Sequence, residues 1–340
     1  MSAVTVPKAD GGVVLTLLRA REIGIALLIA LVVLVTALHN SHFVDSNSVQ
    51  QLLSGAALIA LLGVGETLVI ITRNVDLSVG SVLGLSAYVV GDLFKYHHIP
   101  VWSGFVIGTL VGVAAGTLNG FIVTALRVPS LVVTLGMLYV IRGIDGVIVN
   151  GDRIDPESIP NAFTAVGYRT LFGIPWLAII VAVLVAVAGF AMRSFRASRD
   201  LYAIGSNPDA AALAGVPIQR RVFSAFLISG TLAGFAGALF LALHTQIDNS
   251  GGIGYELSVV AAVVVGGVAI FGGSGTVVGA ALGALLLNTI NQALVASRIS
   301  AFWNQAIAGA LLLAAIAFDR WLSLRVTKSL RSAEGAHREL

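Results

Sequence analysis

No cysteine occurs among the 340 residues, so disulfide frameworks, thiolate metal sites and thiol nucleophiles are excluded. Charge is also scarce. Charged residues make up 11% of the chain against about 25% in an ordinary soluble domain, which excludes a soluble single-core protein. Lysine is rarer still: Lys8, Lys95 and Lys328 follow Pro7, Phe94 and Thr327, so no Gly-Lys-Ser/Thr phosphate loop exists and ATP hydrolysis by this chain is not expected. No His-Glu-x-x-His spacing is present. His39, His42, His97 and His98 fall in polar connections, where solvation is the simplest role, and no metal ligand set is proposed.

What remains is apolar. Hydrophobic residues reach 57% and glycine numbers 38, the composition of a polytopic membrane protein. Marking every mostly apolar run of about 20 residues predicts ten spans, near 22–38, 49–72, 77–94, 101–126, 130–150, 172–191, 220–246, 256–271, 275–294 and 302–320. The fold class is therefore an all-α membrane bundle of about ten helices. The eighth run is short and ends in Gly272-Gly273-Ser274-Gly275, which predicts a broken or re-entrant segment buried by protein. The first run follows basic residues without a small-x-small cleavage site and reads as a retained anchor.

With the N-terminus inside, the inner segments carry fifteen Lys and Arg. The outer segments carry five: Lys95, Arg142, Arg153, Arg169 and Arg298. This bias predicts both termini in the cytoplasm, with tails 1–21 and 321–340 flanking a membrane domain at 22–320 and a large inner loop at 192–221. The pI near 9.4 then reflects topology, and no nucleic-acid partner is expected.

Helix contacts are written in glycine, as Gly112-x3-Gly116-x3-Gly120, Gly230-x3-Gly234 and Gly275-x3-Gly279-x3-Gly283. The similar openings at 79–84 and 278–283 also suggest an internal duplication. Glu66 and the Arg142/Asp145 pair are the clearest intramembrane charges, the pair being spaced to neutralise each other on one helix face. Deeper polar groups are mostly amides. Asn119, Asn288, Asn291, Gln292 and Asn304 are candidates to line a path for an uncharged polyhydroxylated solute, interhelical hydrogen bonding being the competing role.

The inner loop holds a short helix with explicit ends. Asn207 is placed to cap it, Pro208 suits the first position, Asp209 complements the dipole, and Gly215 with Pro217 stops it. Two turns are too few for independent stability, so this element is expected to dock on a partner.

Asp209-Ala210-Ala211-x3-Gly215 resembles the EAA loop of ABC importer permeases, with Asp in place of the usual Glu. Residues 72–81, including Asp76, Ser78 and Gly80, are similar to the signature after the second span of the ribose, xylose, rhamnose and autoinducer-2 permeases. Further similarities lie at 128–136, 203–208 and 266–275. Thr72-Arg73-Asn74 and the run 302–309 look most like the autoinducer-2 and rhamnose type, while Glu66 departs from the amide or small residue expected there.

The resemblance implies a non-catalytic, multi-pass subunit of the bacterial inner membrane. It implies a second permease, identical or paralogous, and ABC ATPase subunits that bind ATP and Mg and receive the coupling helix. It further implies an extracytoplasmic solute-binding protein and transport by alternating access. No cofactor is expected on this chain. The alternative from composition alone is an ATP-independent transporter or channel, and a static membrane scaffold is a third. Asp76 is expected to cap the helix that follows it.

Overall fold

The computed structural model describes residues 11–300, 302, 303 and 305–317. It is helical almost throughout. The helices are α1 (Gly11–His39), α2 (Ser46–Ile71), α3 (Val79–His97), α4 (Val101–Ala125), α5 (Ser130–Val149), α6 (Asn161–Tyr168), α7 (Trp176–Ser194), α8 (Arg196–Ser206), α9 (Pro208–Leu213), α10 (Ile218–His244), α11 (Tyr255–Val265), α12 (Val277–Ala296) and α13 (Gln305–Ala317). The only sheet among the described residues is a two-residue hairpin pairing Thr170–Leu171 with Ile174–Pro175.

Each of the ten apolar runs contains one helix. Seven of these are long and apolar enough to cross a membrane, and α11 and α13 are shorter apolar helices. The innermost helices are α2 and α10. From Leu58 to Ile71 every residue of α2 is buried except Ile59. By contrast α1, α5 and α7 turn Leu, Val, Ile and Phe outward, as helices that meet hydrocarbon do.

Glycine sets the closest contact. A Cβ at Gly112 would fall on the carbonyl oxygen of Gly230, and one at Gly116 would come within 3.1 Å of the Gly230 Cα, so α4 and α10 touch backbone to backbone. In the third glycine series, Gly279 and Gly283 pack on Gly266 and Ala262, but Gly275 does not share their helix face. It precedes α12 at φ 132°, against Val268.

Two segments are broken. After α2 the chain turns at Thr72–Asn74 and runs back inward, so that Asp76 meets Ser229, midway along α10, before α3 begins. After α10 the chain likewise folds back, and Gly251 and Gly252 lie against Gly84 and Gly80 of α3 before α11 starts. The eighth run is thus an eleven-residue helix, Tyr255–Val265, followed by non-helical turns through the glycines at 266–275 before α12 begins. The same break ahead of α3 is unforeseen in the apolar pattern.

The ends of the bundle differ. At one, which carries α8 and α9, Arg73 donates from Nε to the Gly205 carbonyl at 2.6 Å and from Nη2 to the Ser206 carbonyl at 2.8 Å. At the other, Lys95 pairs with Asp152 at 2.7 Å and Tyr96 donates to the same carboxylate. These bonds hold the Asp152 carboxyl below its usual range.

Candidate functional site

A cavity of about 580 Å³ opens among α2, α6, α10, α11 and α12, within the range of small-molecule sites. Asn288, Asn291 and Gln292 of α12 reach it together, as their spacing of three and four requires. Opposite them α2 supplies Asn47, Gln50, Gln51 and Ser54. This second polar row is missing from the sequence-based site list, although its spacing of three, four and seven is a helical face written plainly at 47–54. Tyr168, His244 and Tyr255 complete the polar lining, and among the described residues no Asp, Glu, Lys or Arg takes part.

Asn288 also ties the two rows together. Its Nδ2 donates to the Leu52 carbonyl at 2.7 Å, and a Cβ on Gly55 would stand 3.0 Å from the amide, so glycine there makes room for it. Asn304 lies outside the described residues.

Asn119 is not on this cavity. It is 1% exposed and donates to Ser78 Oγ at 2.8 Å. Its place is a buried polar knot where the backbone turns into α3. Asp76 Oδ1 accepts from the Ser78 amide at 3.0 Å and from its hydroxyl at 2.6 Å, while Oδ2 accepts from Ser229 at 3.1 Å. The expected cap is therefore corrected. Asp76 lies too far ahead of α3 to reach its first-turn amides; instead it closes an Asx turn around Ser78, whose own backbone enters the helix. Gly80 follows because the backbone of Gly252 passes where its Cβ would be.

Glu66 belongs to the same knot. Its Oε1 accepts from the Asp76 amide at 3.1 Å, and its Oε2 has no partner. An unsatisfied buried polar atom costs about 1–3 kcal/mol. Glu66→Gln keeps the acceptor used by Asp76 and removes the second carboxylate oxygen, so the purified protein is expected to melt no lower than the unaltered one. Glu66→Ala, which leaves the Asp76 amide unbonded, is expected to melt lower. Thermal unfolding of the two variants side by side checks the ordering; a lower melting point for Glu66→Gln would show that both oxygens are needed.

Arg142 and Asp145 do not neutralise each other directly. Arg142 sits within α5 and not in a loop, donates from Nη1 to the Gly251 carbonyl at 2.5 Å, and both Asp145 oxygens lack partners.

The third element is the loop between α7 and α10. Asn207 accepts from the Ala210 amide at 3.1 Å, Pro208 opens α9, and Gly215 turns the chain at φ 78°. Ala211 is buried, however, while Asp209, Ala210, Ala212 and Leu213 are exposed. Residues 196–206 form α8, whose pattern buries Ser198, Asp200, Leu201, Ile204 and Gly205. Asp200 pairs with Arg221 at 2.8 Å, Tyr202 donates to the Gly275 carbonyl at 2.9 Å, and Arg73 closes the C-terminal end of α8. The loop is thus bolted to α10, to the turn after α2 and to the turn before α12, so a push on it reaches three helices at once.

Comparison with known proteins places this arrangement. Residues 48–316 match the family described as the permease component of the branched-chain amino acid transport system. The chain is 35% identical to the autoinducer 2 import system permease protein LsrC of Klebsiella pneumoniae subsp. pneumoniae over 318 residues, covering 93% of this chain and 91% of that one. The identity is also 35% to the proteins of the same name in Enterobacter sp., over 92% of that protein, and in Escherichia coli O9:H4, over 90%. No solved structure matches the chain. The match over most of the chain, on a glycine-packed bundle with a polar cavity and a bolted loop between α7 and α10, establishes that this protein belongs to that family of transport permeases and is a non-catalytic, multi-pass membrane subunit.

Proposed function

We propose that the chain is the membrane subunit of a binding-protein-dependent ABC importer for autoinducer 2 or a similar small polyhydroxylated ring, moved by alternating access. The observation that carries this is the cavity lining. Amides, hydroxyls and aromatic edges without any charged side chain suit a neutral polyol. An amino acid, with a carboxylate and an ammonium group to desolvate, calls for charged partners. The relatives named for autoinducer 2 point the same way.

Partners follow from the same reading. α9 seats in an ABC ATPase subunit that holds ATP and Mg, a solute-binding protein docks on the opposite end, and a second permease, identical or paralogous, completes the passage. Among the translocation candidates we keep Asn288, Asn291 and Gln292 and drop Asn119, which is committed to Ser78.

Uptake of labelled autoinducer 2 by the reconstituted complex tests the reading, with rhamnose and leucine as competitors. Asn291→Leu is expected to lower the uptake rate about tenfold while the complex still assembles, since Asn291 makes no bond in the fold that its loss would break. Full uptake in that variant, or transport of leucine in preference to autoinducer 2, would overturn the assignment.

Orientation is a second expectation, from the excess of positive charge in the inner segments. Ala214→Cys, exposed beside α9, should resist an impermeant maleimide in intact cells and react after lysis. Phe172→Cys, at the tip of the hairpin and 96% exposed, should label in intact cells. The reverse pattern would invert the topology.

A further inference from the structure

Among the described residues, most of the buried polar side-chain atoms left without partners lie in one cluster. Besides Glu66 and Asn119 in the knot already described, they are Arg142 Nη2, Asp145 Oδ1 and Oδ2, and Glu256 Oε2. Asp145 is 1% exposed, yet neither oxygen is bonded. The guanidinium of Arg142 lies within electrostatic reach of both Asp145 and Glu256. The three side chains come from α5 and from the start of α11, which the backbone break before α11 brings against α3.

The fold makes room for them deliberately. A Cβ at Gly80 would collide with Glu256 Oε2, and one at Gly84 would stand 3.1 Å from Arg142 Nη1, so two glycines one turn apart on α3 leave the space these groups occupy. Two of the groups are also held from behind: Arg142 Nη1 is tied to the Gly251 carbonyl, and Glu256 Oε1 accepts from the Gly254 amide at 3.2 Å. What is left over is Arg142 Nη2 and three carboxylate oxygens, all buried.

His244 lines the amide cavity and also a second cavity of about 190 Å³, which reaches Gly251, the residue whose carbonyl holds Arg142. We propose that Arg142, Asp145 and Glu256 form a second solute subsite beyond His244, which receives the hydroxyl groups of an uncharged cyclic polyol on its way through the permease.

The donor set selects this class. Three free carboxylate oxygens want O–H donors, and the free Arg142 Nη2 wants a neutral oxygen. A carboxylate ligand fits poorly, because two acids against one base repel an anion. The inference rests on the proposed import of a polyol and extends it to a second station along the path.

The test uses the full reconstituted complex of permease, ATPase and binding protein, with labelled autoinducer 2 as probe and leucine and sodium-free buffer as further arms. Asp145→Asn and Glu256→Gln keep size and shape while exchanging an acceptor oxygen for a donor. Each is expected to lower the uptake rate at least tenfold with the amount of assembled complex unchanged, and Asp145→Glu is expected to recover part of it. Three results would overturn the subsite: uptake within twofold of the unaltered protein in both variants, loss of assembly in both, or uptake that depends on sodium and loses that dependence in Asp145→Asn. Asn291→Leu measured in parallel separates the two readings. Impairment there with normal transport in Asp145→Asn and Glu256→Gln removes only this subsite, whereas leucine transport without autoinducer 2 transport removes both.

Discussion

Gly112→Val is expected to abolish recovery of folded permease. The reason is that α4 and α10 meet through backbone alone at this point: a Cβ on Gly112 would strike the Gly230 carbonyl oxygen and stand 2.6 Å from the Gly234 nitrogen and 2.7 Å from its Cα. Nothing there is a flexible side-chain end that can rotate away. Ordinary overpacking costs roughly 1–3 kcal/mol because side chains repack, but here two helices have to separate. Separation would also disturb Ser86, whose hydroxyl donates to the carbonyls of both Gly108 and Gly234 and so joins α3 to the same seam. Gly136→Val on α5 is the control, since nothing lies within 4 Å of its Cβ position. Detergent extraction with size-exclusion profiles should show a monodisperse peak for Gly136→Val and aggregated or absent protein for Gly112→Val. A normal profile for Gly112→Val would mean that the two helices are not in backbone contact.

That seam was legible in the sequence, because Gly-x3-Gly repeats put small residues on one face and only close approach explains five of them on two helices. So were the ten runs and the cap of α9, each fixed by local spacing. The polar knot was not. Asp76, Ser78, Asn119, Ser229 and Glu66 come from α2, α4, α10 and the turn between α2 and α3, and no local pattern says that they meet. Asn119 was misplaced for this reason: an amide in an apolar run has the same sequence signature whether it faces a cavity or another side chain. The α2 half of the amide cavity is different, since Asn47, Gln50, Gln51 and Ser54 do form a helical face; it was overlooked because these residues sit at the start of the apolar run, where polar residues read as the edge of a span. α8 escaped for a related reason. Arg196 and Arg199 give it the look of a charged loop segment, whereas the burial of Leu201 and Ile204 makes it a packed amphipathic helix.

Leu213→Asp is expected to uncouple the permease from ATP hydrolysis while leaving its membrane fold intact. α9 has six residues, capped by Asn207 at one end and turned by Gly215 at the other, so its shape is fixed but its own hydrogen bonds are too few to make it stable alone. Contact on one side supplies part of the deficit: Ala211 is buried against the rest of the chain, and α8 beneath it is anchored by Arg73, Tyr202 and Asp200. The opposite side meets no partner among the described residues. There Leu213 is 92% exposed, a large apolar side chain at the tip of a rigid loop with Asp209, Ala210 and Ala212 around it. Burying such a leucine in a partner's cleft is worth about 1.5–3 kcal/mol, so losing it and inserting a carboxylate should weaken ATPase association by at least tenfold. The two faces also separate docking from folding. Ala212→Trp, on the exposed face, should behave as Leu213→Asp does. Ala211→Trp, on the buried face, should displace α9 from α8 and lower the melting temperature of the isolated permease. Copurification of the ATPase, solute-stimulated hydrolysis and thermal unfolding, measured on all three variants, distinguish these outcomes. Normal ATPase retention and full uptake in both Leu213→Asp and Ala212→Trp would mean that α9 is not the seat of the ATPase, and the alternative of transport without ATP would then stand.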